Sequence, residues 1–375
     1  SSSSILLEDL ATTLSTIGQS AHDSPYIFFK LEGMRALGAV ITAAGKLMVP
    51  FVDDMVPLFH TMLTLESSTS SKSDEDTIKT TSFALEATTL LAMAVGYDNF
   101  KEYAAGVADY IADGLQQEFS SWSDSHLQFL LRGWTCILDC MQERALPYLD
   151  RVMPKLVILA NLKCITALPF EPGNDIPEDG ENTHTHEHLP DGSERLLLLN
   201  NGEATSKSTA LSILLVMITQ VSTGLGKWIP DVATVVVDNL AFRGVDEIRL
   251  KSAYSLVPVA RLLLEGYPNQ QLKLSDFLAI ALQRLLEAMP VEEDVDVLRC
   301  MSSACQDLLT LAPTSGADKL NIVDDINDML VACDEKIAQH EAEEDEEDED
   351  DEENEGGDSD PDDGADSLPG KRGRF

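Results

Sequence analysis

Apolar residues recur along this chain at helical spacing, and the units they form repeat. RALPYLDRVMPKLVIL, from Arg144 to Leu159, reads as a helix with Pro147 in its first turn, where a missing N–H costs nothing. Tyr148, Val152 and Leu156 fall four apart, on one stripe of a 3.6-residue helix. An earlier copy, PFVDDMVPL from Pro50, sets Phe51, Met55 and Phe59 at the same steps. Further copies start at Tyr103 (then Val107, Ile111), Trp228 (then Val232, Val236) and Phe277 (then Ala281, Leu285). The aromatic anchors are 52, 45, 80 and 49 residues apart, and the two longest intervals each contain a polar insertion. Without the insertions the period is about 40 to 47 residues, that of HEAT and armadillo helix pairs, which bury their apolar faces only by stacking. A bundle with coincidental aromatics is the competing reading, and the shared period weighs against it.

The pattern divides the chain into a partial N-terminal repeat over 1–25, repeats over 26–166, a polar insertion over 167–203, repeats over 204–340 and a tail over 341–375. Ile5 to Ile17 reads as the first helix of the partial repeat, and Ile27 to Ala44 as an inner helix that Gly45 stops before an outer one. SSTSSKSDED, ahead of Ile78, is a Ser-rich linker open to phosphorylation. Pro258 is expected to kink the helix over 246–264. The insertion is expected to be a solvated loop, with Arg195 to Leu199 either a short strand or a helical turn. A chain that starts at Ser1, on a helix with nothing before it to pack against, is expected to be a piece of a longer solenoid.

Charge narrows the choice of partner. The formal net charge is −39. Residues 341–366 hold 18 Asp or Glu and no Lys or Arg, so the rest of the chain still carries −21. The tail has no apolar face and is expected to be disordered. Such charge disfavours direct nucleic-acid binding and favours basic protein segments. Six scattered cysteines fit a reducing compartment. No apolar run reads as reaching the roughly 20 residues of a membrane span, so the expectation is a soluble intracellular chain with no membrane partner.

His184, His186 and His188 alternate, so an extended segment would point all three one way, with Glu187 or Asp191 nearby as a further zinc or nickel ligand. No scaffold for a metal is legible around them, and a solvated loop is the preferred reading; no metal and no cofactor are expected. There is no P-loop, dinucleotide glycine motif, G-x-S-x-G elbow or H-E-x-x-H, so the chain is not expected to be an enzyme.

LEATTLLAMAVGYDNFKEYAAGV (85–107), RGWTCILDCMQERALPYLDRVMPKL (132–156), SKSTALSILLVMITQVSTGLGKWIPDV (206–232) and DEIRLKSAYSLVPVARLLLEG (246–266) resemble consecutive repeats of the importin-beta superfamily of nuclear transport receptors, nearest the importin-beta-3, Ran-binding-protein-5-like branch. The resemblance covers about residues 26–345 and implies an all-α HEAT-repeat right-handed solenoid with an acidic tail. Its second helices would line a concave acidic face that takes basic cargo carrying nuclear localisation signals, histones or ribosomal proteins among them. It also implies contacts with nucleoporin phenylalanine-glycine repeats, control by the Ran GTPase through the parent receptor, and traffic between cytoplasm and nucleus through the pore. By position, Glu86, Trp134 and Asp139 match cargo-binding sites. Trp134 reads equally as core between repeats, Glu86 as a solvated carboxylate, and Asp139 as facing a helix junction. An acidic HEAT scaffold or histone-chaperone-like protein, holding basic partners without transport, is the alternative.

Overall fold

The computed structural model describes residues 2–64, 75–119, 121, 124–169, 182–188, 194–267, 272–311, 326–340 and 342. The chain divides into two compact units, Ser1–Gly316 and Ala317–Phe375. The Ser-rich linker and almost all of the acidic tail lie outside the described residues, and with them the expectation of a disordered tail. In the second unit a helix runs over 326–340, with Ile326, Leu330 and Cys333 on one stripe.

The first unit is a stack of helix pairs. Its helices are α1 (Ser2–Asp23), α2 (Ile27–Ala44), α3 (Val52–Leu63), α4 (Glu75–Val95), α5 (Tyr97–Gln116), α6 (Ser125–Met141), α7 (Leu149–Ala160), α8 (Asn201–Gln220), α9 (Ile229–Asp238), α10 (Asp246–Glu265), α11 (Leu274–Ala288) and α12 (Val295–Leu311). Each odd helix packs on the even helix that follows it, and successive pairs stack to give an odd layer and an even layer. Except at α6 and α8, where the inserted sheet intervenes in sequence, neighbouring even helices lie against one another more extensively than neighbouring odd ones do.

The burial pattern explains the layers. In α6 the buried set is Leu127, Leu130, Leu131, Trp134, Ile137, Leu138 and Met141, three or four residues apart. In α7 it is Leu149, Val152, Met153, Leu156 and Leu159. Each such side chain contributes about 1.5–3 kcal/mol when fully buried, and neither helix could bury its set alone. Polar side chains close the ends: Asp124 accepts from the His126 amide at 2.8 Å, and Asn200 from the Glu203 amide at 2.9 Å.

The helix expected over Arg144–Leu159 is in fact two elements, a 3-10 turn over Gln142–Tyr148 and then α7. Gln142 has φ +52°, which ends α6, and the tighter turn carries the chain past Pro147 into the odd layer. Gly45, with φ +53°, does the same for α2 ahead of the turn Gly45–Phe51. Among the described residues, one stretch is long and apolar enough to cross a membrane, Ile27–Leu63, which corrects the expectation that no such run exists; the turn splits it into α2 and α3, both packed on α4. The anchors Phe51, Tyr148 and Trp228 each close a 3-10 segment or cap the next helix. They are half-buried, whereas Phe277 is buried. Polar bonds join neighbouring odd helices, where Tyr103 Oη donates to Asp53 at 2.9 Å and Arg151 pairs with Asp109 at 2.6 Å and with Asp113; Lys227, in the turn before α9, pairs with Asp150 of α7 at 2.6 Å.

The insertion is not a loop throughout. It forms a three-stranded antiparallel sheet, ordered β1-β3-β2, from β1 (Ile165–Pro169), β2 (Asn182–His188) and β3 (Glu194–Asn200). The run of four leucines in ERLLLLN makes β3 a central strand, apolar on both faces, and so resolves the choice left open at Arg195–Leu199. The sheet is tied down by Lys207, only 3% exposed, which donates to the Leu162 carbonyl at 2.7 Å and lies 4.7 Å from the centre of the Phe242 ring. Burial pushes its ammonium down to about 8. A second tie crosses the pair-to-pair corner. Glu292, 4% exposed, accepts from Arg249 Nε at 2.6 Å and Nη2 at 2.7 Å, and from the amides of Glu293 and Asp294 at 3.1 Å. Helix α10 continues through Pro258.

Candidate cargo-binding surface

The solvent side of the even layer is a set of parallel stripes. On α4 the stripe is Lys79, Phe83, Glu86, Leu90 and Met93; on α6 it is Phe129, Arg132, Cys136 and Asp139. Steps of three and four residues put each set on one helix face, turned away from the odd layer.

Glu86 and Asp139 come together here. Burial is the main cause that pushes the half-buried Cys136 thiol up, and the Asp139 and Glu86 carboxylates on either side push it further. Asp139 also accepts from Gln220 Nε2 at 2.9 Å, which links α6 to α8. Trp134 is not on this surface. It is 0% exposed and meets the Tyr148 ring edge-on with centroids 6.4 Å apart, so its assignment to cargo is corrected: the indole is core between α6 and the turn before α7.

The aromatic groups that do line the surface are Phe83 and Phe129, half-buried and edge-on at 5.0 Å, and the sequence pattern alone did not single them out. The signal was present: Phe83 stands one turn before Glu86. Arg35 of α2 lies 5.5 Å from the centre of the Phe83 ring, so this face already holds a cationic side chain on an aromatic one.

The acidity is distributed differently from expectation. The six odd helices carry 14 Asp or Glu against 4 Lys or Arg, while the six even helices carry 11 against 9. The even layer is therefore nearly neutral, and several of its charges are spent locally, as in Arg35 with Glu32 and Lys79 with Glu75. The expected acidity of the even layer is small by this count, and the odd helices carry most of the net negative charge of the twelve.

The three histidines are at alternate positions of the edge strand β2, in register with Leu198, Leu196 and Glu194. His184 is half-buried; the side chains of His186 and His188 lie outside the described residues. No group of three metal-ligating side chains occurs among the described residues.

Stacked helix pairs with an exposed even layer define the chain as a HEAT-repeat solenoid. No protein-family model and no curated protein sequence matches it. Among solved structures it is similar to Kap121p, at 15% identity and a TM-score of 0.70 over 89% of this chain and 30% of that one. It is also similar to the karyopherin Kap121p bound to the SUMO protease Ulp1p (16%, 0.70, 90% and 30%) and to Kap121p bound to Nup53p (15%, 0.68, 89% and 30%). The chain thus spans about 30% of the length of the structures it matches.

Proposed function

We propose that this chain is part of a nuclear import receptor of the importin-beta class, which holds basic, extended cargo segments on the exposed face of its even layer. The observation that carries the proposal is the shared fold: similar structures are of a karyopherin solved with partners such as Ste12p and Pho4p, and with Nup53p. Contact with nucleoporin phenylalanine-glycine repeats, Ran control through the rest of a longer receptor and traffic between cytoplasm and nucleus belong to the same reading. So does placement in the importin-beta-3, Ran-binding-protein-5-like branch. The even face would be the concave one, because its helices approach one another more closely.

Locally, Glu86 and Asp139 supply acceptors for lysine heads, and Phe83 and Phe129 supply surface for lysine stems. A shielded charge-assisted bond is worth about 1.5–3 kcal/mol, and less at this half-exposed site. Glu86→Lys and Asp139→Lys are each expected to weaken a lysine-rich signal peptide about five- to tenfold and to flatten its salt dependence. The test is a titration of that peptide and its Lys→Ala control against wild type and both variants; equal affinity for the two peptides refutes the proposal.

The acidic odd layer favours a second reading, an acidic scaffold or histone-chaperone-like protein that holds basic partners on its other face. Histone or ribosomal-protein binding insensitive to Glu86→Lys, with no affinity for phenylalanine-glycine peptides, would select it.

A further inference from the structure

The step from the third helix pair, α5 and α6, to the fourth, α7 and α8, is built unlike the others. Here the even helices lie against one another least, and the odd helices lie against one another most. At every other step of the first unit the even side is the tighter of the two. The chain crosses this step through the turn Gln142–Tyr148, and the inserted sheet then separates α7 from α8 in sequence.

The odd side of the step is clamped. Arg151 of α7 pairs with Asp109 at 2.6 Å and with Asp113, both on α5, and also donates to the Asp109 carbonyl at 3.1 Å. Charge-assisted bonds from one planar guanidinium to two carboxylates fix direction as well as distance. Lys155 donates to the Gln117 carbonyl at 3.0 Å and lies 5.1 Å from the centre of the Phe119 ring. Arg144, in the turn, lies 4.2 Å from the centre of the Tyr97 ring at the start of α5. The even side is bridged by two long, neutral side chains: Gln128 of α6 donates to Ser206 of α8, and Gln220 of α8 donates to Asp139 of α6 at 2.9 Å. The Oε1 atom of Gln128 is buried without a hydrogen-bond partner, so this contact is not packed to completion.

We infer that this step is the hinge of the stack: α1–α6 and α7–α12 move as two arms, pivoting on the Arg151 clamp in the odd layer and opening or closing the even layer between α6 and α8. In a stack of neighbour-only contacts, the joint with the fewest packed side chains yields first. The motion changes the distance between the exposed even-layer stripes of the two arms and leaves each stripe intact. The inference rests on packing alone and holds whether or not that face takes basic cargo.

The test is pulsed electron–electron resonance on the whole chain, with pairs of spin labels carried by ketone-bearing residues, so that the six native cysteines stay untouched. Each pair replaces exposed residues and spans two even-layer steps: Ala39 and Arg132 within the first arm, Arg132 and Tyr254 across the hinge, and Thr205 and Ser303 within the second arm. The across-hinge distance distribution is expected to be about twice as wide as either of the others. Arg151→Gln should widen it further and leave the within-arm pairs unchanged. Arg284→Gln, which removes an ion pair internal to α11, should change none of the three. An across-hinge distribution no wider than the others overturns the inference. So does an Arg151→Gln variant that widens nothing, or that widens the within-arm pairs equally, and so does equal widening by Arg284→Gln.

Discussion

Replacing Trp134 by alanine separates a core indole from a cargo-facing one. A buried tryptophan removes roughly 150–250 Å² from water, which at about 25 cal/mol per Å² is about 4–6 kcal/mol for the whole side chain. Alanine keeps the Cβ but leaves a cavity, and such truncations cost about 3–5 kcal/mol. Part of that is the edge-on contact with Tyr148, worth about 0.5–1.5 kcal/mol. Trp134→Phe should cost only about 1 kcal/mol, because the buried indole N–H has no hydrogen-bond partner to lose. Urea denaturation followed by far-ultraviolet circular dichroism gives the stability difference. Hydrogen exchange tests its location, since a stack of neighbour-only contacts should lose protection mainly in α5, α6, α7 and α8. If Trp134→Ala stayed within about 1 kcal/mol of wild type and weakened a basic peptide instead, the core assignment would be wrong.

Three further outcomes are expected. Gln142→Gly should stabilise the chain by about 1 kcal/mol in the same denaturation assay, because a side chain at φ +52° is strained and glycine is not; a loss of stability would contradict this. Lys207, pushed down to about 8 by burial, keeps its proton to about 10.4 when unfolded, so the unfolded state binds more protons between those values. Its contribution to stability should therefore be constant below pH 8 and rise by up to about 3 kcal/mol towards pH 10.4, seen as a wild-type minus Lys207→Met difference that grows with pH; a flat difference would refute the burial. Glu292→Ala should cost about 2–3 kcal/mol, because it removes the two bonds from half-buried Arg249 and the acceptor of the Glu293 and Asp294 amides while Arg249 keeps Asp246 and the Phe242 carbonyl; equal melting of the variant and wild type would show that the pair is solvated.

The helix pairs were legible because their signal is local. Leu127 to Met141 in α6 and Leu149 to Leu159 in α7 repeat at three- and four-residue steps that only a helix makes one-sided. The 3-10 turn at Gln142 was not legible, because the positive φ that starts it belongs to a glutamine, whereas Gly45 marked the matching stop of α2. The sheet was half legible: four consecutive leucines read as strand or helix, and pairing with partners some thirty residues away decides it. On the even layer, the outward positions of Glu86 and Asp139 were legible from helix register. Trp134 was misplaced because size and aromaticity do not say which side of a helix faces solvent, whereas Phe83, half-exposed in the stripe of Glu86, could have been found by counting from Glu86.

The unequal division of charge between the layers makes the stack an oriented object in an electric field. Ten net charges on the odd helices and two on the even ones leave a dipole across the layers. Packed helices lie about 8–10 Å apart, and at physiological salt the screening length is about 8 Å, so each face then acts almost independently. In dilute salt the odd layer dominates, and a polycation should strike that side first and reach the even layer only by rolling over an edge. Capture rate and residence time would then respond differently to ionic strength: the first would follow the odd layer's total charge, the second the few carboxylates around Cys136.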